Sequence, residues 1–106
     1  MQVAIFYMPQ GIHMKAIWNE MVIAESDDIV NLEMDYFFPL SSVKPQYLRL
    51  TRTQDAAAAE HLITTFSLQA GMKKCPDAVW YYDHPRYARA GVLGRVAFRK
   101  EVRFEE

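Results

Sequence analysis

The stretch AVWYY, residues 78–82, decides the fold class of this chain, because no other segment favours a β-strand so strongly. Its β-branched and aromatic side chains suit a pleated, half-buried surface. Successive side chains of a strand point to opposite faces, so Trp80 and Tyr82 are expected to share one face. Pro85 follows shortly afterwards and ends the pairing, since proline lacks a backbone N–H. The stretch therefore predicts a strand that presents two aromatic rings on one side.

Outward from this strand, most of the chain consists of short apolar runs separated by turn residues. Asn19 and Glu20 predict the tight turn of a hairpin. Residues 25–28 predict a second turn, because serine and aspartate side chains bond nearby backbone groups. The last two predicted strands form a hairpin around Lys100 and Glu101. The predicted strands are residues 3–7, 15–18, 21–24, 29–32, 36–38, 48–53, 63–69, 78–82, 95–99 and 102–104.

Three segments predict short helical structure. Residues 41–48 predict one helical turn, which a serine caps and a proline keeps short. Residues 55–62 predict a short helix, because an aspartate at the N-cap precedes four alanines. Residues 85–90 predict another, with proline in its first position and glycine after its last. We therefore expect a mainly β fold of antiparallel sheets with one or two short helices.

The size and composition fit one small domain. The chain has 106 residues, and 51% of them are hydrophobic, which is enough apolar material for a core. No repeat, linker or shift in composition divides it. We expect a single β-rich domain over residues 14–106. Residues 1–13 would then be an extension or an added edge strand, and either Met1 or Met14 fits as the start.

Charge and cysteine content exclude several classes of protein. A net charge of -1 gives no overall attraction to nucleic acid or to an anionic membrane. Cys75 is the single cysteine, so an internal disulfide is excluded and a reducing compartment fits. No apolar run approaches the roughly 20 residues that span a bilayer, and the first residues make a poor signal peptide. We predict a cytoplasmic protein with no membrane partner.

Aromatic side chains supply the first candidate site. Trp80 and Tyr82, with Trp18 on another strand, can fill a core or wall a pocket for a planar or cationic ligand. His84 and Arg86 follow the strand and would stand at the mouth of that pocket. The first hypothesis is therefore a module that binds a small molecule through Trp18, Trp80, Tyr82, His84 and Arg86.

Two hypotheses from other classes stay open. In the enzyme hypothesis, Asp83 and His84 act as acid–base groups, because histidine titrates near neutral pH. The plainer interpretation of these two residues is a turn with His84 exposed. In the second hypothesis, residues 3–7 pair as an edge strand with another chain, which gives a homodimer or another assembly. The sequence leaves open whether the chain is an enzyme.

The remaining chemistry-bearing residues predict no metal and no cofactor. The three histidines and Cys75 lack the spacing of a zinc motif, and no glycine-rich phosphate loop is present. Basic residues cluster near the C-terminus, but glutamates interleave with them, which favours a solvated hairpin face over nucleic-acid binding. This basic cluster comprises Arg86, Arg89, Arg95, Arg99, Lys100 and Arg103.

Three segments carry a resemblance to a known family. They are MKAIWN at residues 14–19 followed by VIAESD at 22–27; FFP at 37–39 followed by Ser42 and Val43; and DAVWYY at 77–82 followed by Pro85 and by VAF at 96–98. In this order and spacing they resemble domain-of-unknown-function family 427, a set of small, mainly bacterial proteins. The resemblance covers roughly residue 14 to the C-terminus.

The resemblance implies a twisted antiparallel β fold similar to the Mss4-like or β-tent group, some of whose members carry structural zinc while others bind small ligands in an aromatic cage. No activity is established for the family. This chain departs from it twice. A Cys-Pro-Trp-Lys-Gly stretch of the family is replaced by AAAAE at residues 56–60, and the family's Asn-Gly turn is Asn19-Glu20. Glutamate resists the positive φ that a type I′ turn needs.

Overall fold

The computed structural model describes residues 5–7, 13–32, 34–50, 63–82 and 91–106. Within these ranges the chain forms ten strands in two antiparallel sheets, which confirms the predicted mainly β fold. The strands are β1 (Ile5–Tyr7), β2 (Met14–Trp18), β3 (Met21–Ser26), β4 (Val30–Leu32), β5 (Asp35–Pro39), β6 (Leu48–Leu50), β7 (Ile63–Ala70), β8 (Lys73–Tyr82), β9 (Arg95–Phe98) and β10 (Arg103–Glu105).

The larger sheet has seven strands in the order β1-β4-β5-β9-β8-β7-β6, and the smaller has three in the order β10-β2-β3. An isolated bridge joins Ala24 of β3 to Val43 in the segment between β5 and β6, and the Lys44 N–H donates to the Ile23 carbonyl 2.8 Å away. β8 lies inside the larger sheet, paired with β7 on one side and β9 on the other.

The hairpin of β2 and β3 turns at Asn19 and Glu20, as predicted. Both residues have positive φ, 53° and 62°, which is what a two-residue type I′ connection requires. The glutamate thus adopts the disfavoured backbone conformation that the sequence led us to expect at this turn. Further along, β3 contains one extra residue opposite the step from Ala16 to Ile17, a bulge that increases local twist.

Side chains from both sheets fill the larger of two apolar clusters, which we call the main core. Phe38 is fully buried there, and its ring lies 5.4 Å from that of Phe98 and 5.9 Å from that of Phe104, measured between centroids. Because Phe104 belongs to β10, these rings tie the smaller sheet to the larger one. Burial of side chains of this size is the main favourable contribution to folding.

A second cluster lies apart from the main core and is smaller. Phe37 belongs to it while Phe38 belongs to the main core, which is the alternation expected of neighbours on one strand. Trp80 and Tyr82 pack against this second cluster and are only partly buried. Its buried members are Val30, Leu32, Phe37, Val92 and Ala97.

Strand β8 is longer than predicted because it contains a bulge. Phe66 of β7 pairs with Val79, and Leu68 pairs with Cys75, so three residues of β8 lie opposite Ser67 alone. Two residues are therefore inserted within residues 76–78, at the point where the sequence predicted the strand to start. An insertion of two keeps the alternation in phase, and Cys75 and Val79 both face the main core.

The predicted C-terminal hairpin is wrong. Strand β9 pairs with β5 and β8 in the larger sheet, whereas β10 pairs with β2 in the smaller one. The connection is a turn in which the Val102 N–H donates to the Arg99 carbonyl 3.0 Å away, and Val102 is buried. Burying Val102 carries the chain from one sheet to the other.

The predicted helical turn over residues 41–48 is two short 3-10 turns, Leu40–Ser42 and Pro45–Tyr47. Neither has the predicted serine cap, because their N-cap positions are Pro39 and Lys44. The Ser42 hydroxyl donates to the Pro39 carbonyl, 2.7 Å away. Lys44 is extended, as a residue before proline tends to be, and it separates the two turns. The helices predicted over 55–62 and 85–90 lie outside the described residues. No helix in the described ranges is long and apolar enough to cross a membrane.

Candidate functional site

The candidate site is built on the second half of β8. Val79 and Tyr81 face the main core, while Trp80 and Tyr82 face the second cluster. Trp80 lies opposite Thr65 on β7 and Ala97 on β9. The two aromatic residues that the sequence predicted on one face of this strand are therefore together, supported by a neighbouring strand on each side.

The Trp80 ring is held in place by edge-to-face contacts. Its centroid lies 5.7 Å from that of Phe37 with an interplanar angle of 80°, and 5.3 Å from that of Tyr82 with an angle of 84°. Such contacts are worth about 0.5–1.5 kcal/mol beyond the area they bury. We call Phe37, Trp80 and Tyr82 the aromatic wall. Phe37 is buried and anchors the wall, whereas the other two rings remain partly exposed.

A cleft of about 480 Å³ opens beside Trp80. We call it the Trp80 cleft. Of the described residues that line it, two are aromatic and four are charged. Its lining residues are Asp35, Trp80, Phe98, Arg99, Lys100 and Glu101. The cleft thus offers an aromatic surface with ionic groups of both signs at its margin.

Arg99 is positioned by the bulge of β8. Its Nε–H donates to the Asp77 carbonyl 2.7 Å away, and its backbone N–H donates to the Ala78 carbonyl 2.8 Å away. Asp77 has a φ of 53°, which costs on the order of 1 kcal/mol or more outside glycine. Two hydrogen bonds hold it there: Thr65 Oγ1 donates to Asp77 Oδ1 at 3.0 Å, and the Asp77 N–H donates to Ser67 Oγ at 3.3 Å. The bulge therefore fixes the start of the Arg99 side chain.

A second cleft, of about 340 Å³, opens beside Tyr82. We call it the Tyr82 cleft. In contrast to the first, none of the described residues that line it is charged. They are Leu40, Tyr81, Tyr82, Leu93, Gly94 and Val96. Because Trp80 and Tyr82 touch, the aromatic wall borders both clefts.

The other predicted site residues are not brought to this wall by the described structure. Trp18 belongs to the main core and is only 8% exposed. His84 and Arg86 lie outside the described residues, as does Asp83. Of the five predicted site residues, the structure brings Trp80 and Tyr82 together and places Trp18 in a different cluster.

Cys75 is buried in the main core rather than in either cleft. Burial raises the pKa of its thiol, and the negative charge of Glu101 raises it further. A thiol in such a setting is a poor nucleophile, because the thiolate is the reactive form. Among the described residues, no three histidine, cysteine or acidic side chains are grouped so that they could hold a metal ion.

Sequence reasoning missed the role of residues 99–101. Arg99 and Lys100 were assigned to a solvated hairpin face, but both line the Trp80 cleft. Two other arginines of the basic cluster do pair with acids: Arg95 Nη2 lies 2.9 Å from Asp28 Oδ1, and Arg103 pairs with Glu105. The usable signal was the position of Arg99 and Lys100 directly after Phe98, where a strand ends and a loop begins.

The chain was compared with known proteins. Residues 7–106 match the model of a family described as "Domain of unknown function (DUF427)". The match starts at the last residue of β1 and runs to Glu106. No curated protein matches the chain significantly.

Proposed function

The chain belongs to domain-of-unknown-function family 427, and we propose that it is a small binding module that holds a small molecule against its aromatic wall. The observation that carries the proposal is Trp80. This large ring is fixed by Phe37 and Tyr82, yet it is partly exposed at the margin of a cleft. A ring that served only to fill the core would be expected to be covered, as Trp18 is.

The sizes of the clefts support this function. Ligand pockets commonly enclose about 300–1,000 Å³ and combine an apolar lining with a few polar groups. The Trp80 cleft, at about 480 Å³, and the Tyr82 cleft, at about 340 Å³, both lie in this range. Because edge contacts already hold the wall, a ligand would lose little free energy in ordering it.

The proposal uses Trp80 and Tyr82 as the binding surface and leaves out Trp18, whose ring is covered by the main core. His84 and Arg86 keep the role that the sequence predicted for them, at the mouth of the pocket. They follow Tyr82 along the chain by two and four residues and lie outside the described residues. Their contribution remains a prediction.

Native mass spectrometry of the intact protein, taken directly from gentle purification, tests the proposal. We expect excess mass on the protein, whose value identifies the class of the retained molecule. Trp80→Leu should keep the fold and lose that mass. Tyr47→Leu is the matched control, since Tyr47 is an aromatic residue that packs on the main core and lines neither cleft. A bare mass for wild-type protein, or equal retention by Trp80→Leu, would contradict the proposal.

The enzymatic alternative depends on Asp83 and His84, and no observation of the described residues favours it. It stays a hypothesis. Should an activity be found, full activity in a His84→Ala variant would exclude histidine acid–base catalysis.

Assembly is the second candidate function, and the position of β1 favours it. β1 forms an edge of the larger sheet and pairs with β4. Among the described strands, none pairs with its other side. Exposed strand edges add a strand from another chain readily, so a homodimer through β1 is the expected assembly. Light scattering after size-exclusion chromatography should show a dimer that deletion of residues 1–12 converts to a folded monomer; a monomeric wild-type protein would contradict it.

A further inference from the structure

The charged margin of the Trp80 cleft narrows the class of ligand, and this inference rests on the proposed function. We propose that the cleft binds a planar aromatic molecule bearing a carboxylate or a phosphate, with its ring against Trp80 and its anion on Arg99 and Lys100. The assignment rests on the fixed Trp80 ring, on two cations without ion pairs among the described residues, on the positions of the two acids, and on the anchored side chain of Arg99.

The ring surface is suited to a flat ligand. Trp80 meets Phe37 and Tyr82 edge to face, at angles of 80° and 84°, so its own orientation is set before any ligand arrives. An incoming ring gains most from stacking on, or meeting the edge of, such a fixed aromatic surface. Phe98 also lines the cleft, but its ring is buried in the main core, so Trp80 supplies the aromatic surface.

The two cations of the cleft are among the described basic residues that form no ion pair. Within the described ranges, neither Arg99 nor Lys100 forms an ion pair, while Arg95 and Arg103 both do. Arg99 uses its Nε–H on the Asp77 carbonyl, and no described residue accepts a hydrogen bond from its two terminal nitrogens. A guanidinium in that state can give paired hydrogen bonds to a carboxylate or phosphate.

The two acids of the cleft do not cancel these cations directly. Asp35 already has an interaction of its own. Glu101 raises the pKa of the Cys75 thiol after the effect of burial, but this leaves its carboxylate in the cleft. The charges of the described lining residues sum to zero, so the anion of the ligand must lie nearer to Arg99 and Lys100 than to Glu101.

Arg99 is also more rigid than a surface arginine. Its backbone N–H and its Nε–H are both bonded to the β8 bulge, at Ala78 and Asp77. Part of the conformational entropy that a flexible arginine loses on binding is therefore already lost. This anchoring gives the bulge a positioning role in the proposed site.

Four naphthalene probes test the inference by ¹H–¹⁵N NMR: 2-naphthoate, 2-naphthyl phosphate, 2-naphthalenemethanol and 2-naphthylmethylammonium. The reporter is the side-chain N–H signal of Trp80, assigned by its absence from Trp80→Leu. We expect both anions to bind about tenfold more tightly than the alcohol, and the ammonium ion to bind more weakly than the alcohol. The ratio of carboxylate to phosphate affinity then distinguishes the two anionic classes.

Variants assign the effect to the two cations. Lys100→Gln and Arg99→Gln should each weaken anion binding by about three- to tenfold and leave the alcohol unchanged. Arg103→Gln is the matched control, because Arg103 is an exposed arginine outside the cleft. Lys100 makes no contact that the bulge needs, so its variant keeps the test valid even if Arg99→Gln disturbs the fold.

The outcomes separate the two proposals. Equal affinities for the anions and the alcohol, tightest binding of the ammonium ion, or full anion affinity in Lys100→Gln and Arg99→Gln would overturn the anion assignment while leaving a binding module. No shift of the Trp80 signal with any probe would overturn the binding module as well.

Discussion

Trp18 and Trp80 are the two tryptophans of the chain, and they occupy different kinds of environment. Trp18 is 8% exposed and belongs to the main core, which draws side chains from both sheets. Trp80 belongs to the second cluster, which has fewer buried members and leaves the ring partly open beside a cleft. One residue type thus completes a closed core in one place and lines an open cleft in the other.

The difference follows from which face of the larger sheet is covered. The smaller sheet supplies side chains to the main core, so the residues facing it are enclosed on both sides. In the described residues the opposite face carries only the second cluster, and Trp80 and Tyr82 lie at its margin. Burial, not residue type, therefore separates a structural aromatic residue from a candidate binding residue.

The largest difference in stability is expected between variants of the two tryptophans. Trp18→Leu should lower the free energy of unfolding by about 2–3 kcal/mol, because it leaves a cavity in a closed core. Trp80→Leu should cost about 1 kcal/mol or less, because part of its ring is already in water. Urea denaturation measures both. Equal losses in the two variants would mean that Trp80 is as structural as Trp18.

The next largest effect on stability is expected at the β8 bulge, which precedes both Val79 on the closed face and Trp80 on the open face. Asp77→Ala should lower the free energy of unfolding by about 1–2 kcal/mol, since it removes the acceptor for Thr65 at a residue with φ of 53°. Asp77→Asn keeps an acceptor and tolerates that φ, so it should be close to wild type. The same denaturation experiment compares the two variants. If Asp77→Asn lowered the free energy of unfolding as much as Asp77→Ala does, the hydrogen bond from Thr65 would not be the source of the stability.

The free energy of unfolding should also depend on pH through Cys75, which is buried in the main core. The folded Cys75 thiol has a pKa raised above the ordinary 9.0, by burial and then by Glu101. Above pH 9.0 the unfolded chain loses this proton while the folded chain keeps it, so the free energy of unfolding falls as pH rises. In Cys75→Ala this part of the fall should be absent. Urea midpoints from pH 8 to about 10.5, compared between the two proteins, measure it; parallel curves would show that the thiol ionises freely in the folded state.

The smallest effect is expected at the exposed β2–β3 turn. Glu20→Gly should raise the free energy of unfolding by about 0.5 kcal/mol, because glycine accepts the φ of 62° without strain. The loss of the 3.7 Å contact with Arg103 should cost little, since that pair is exposed. Glu20→Ala keeps the strain and serves as the control. A glycine variant less stable than the alanine variant would contradict the argument.

Local pattern predicted most of the fold and two of the three rings of the aromatic wall. Alternation and turn residues predicted β2, β3, β5 and β7, and the period of two in AVWYY placed Trp80 beside Tyr82. The first half of β8 was missed, because Pro76 and Asp77 are residues that usually interrupt pairing and here form a bulge. A bulge of this kind depends on its partner strand, which local pattern does not contain.

The charged side of the site could not be predicted for a similar reason. Arg99 was placed in a hairpin because its neighbours alternate, but β10 leaves β9 and pairs with β2. That choice depends on burying Val102 and Phe104 in the main core, a contact between distant parts of the chain. Only once the hairpin is replaced by a crossing between sheets do Arg99 and Lys100 reach Asp35 and Trp80.

The bulge in β8 also determines which changes of chain length this strand can survive. Removing Pro76 and Asp77 together would shorten the strand by a full period, so every later side chain would keep its face. Removing either one alone would invert the strand beyond it, sending Trp80 and Tyr82 toward the main core and Val79 and Tyr81 outward. This segment is therefore expected to tolerate insertions and deletions of two residues, whereas a change of one residue would reverse which side chains face the main core.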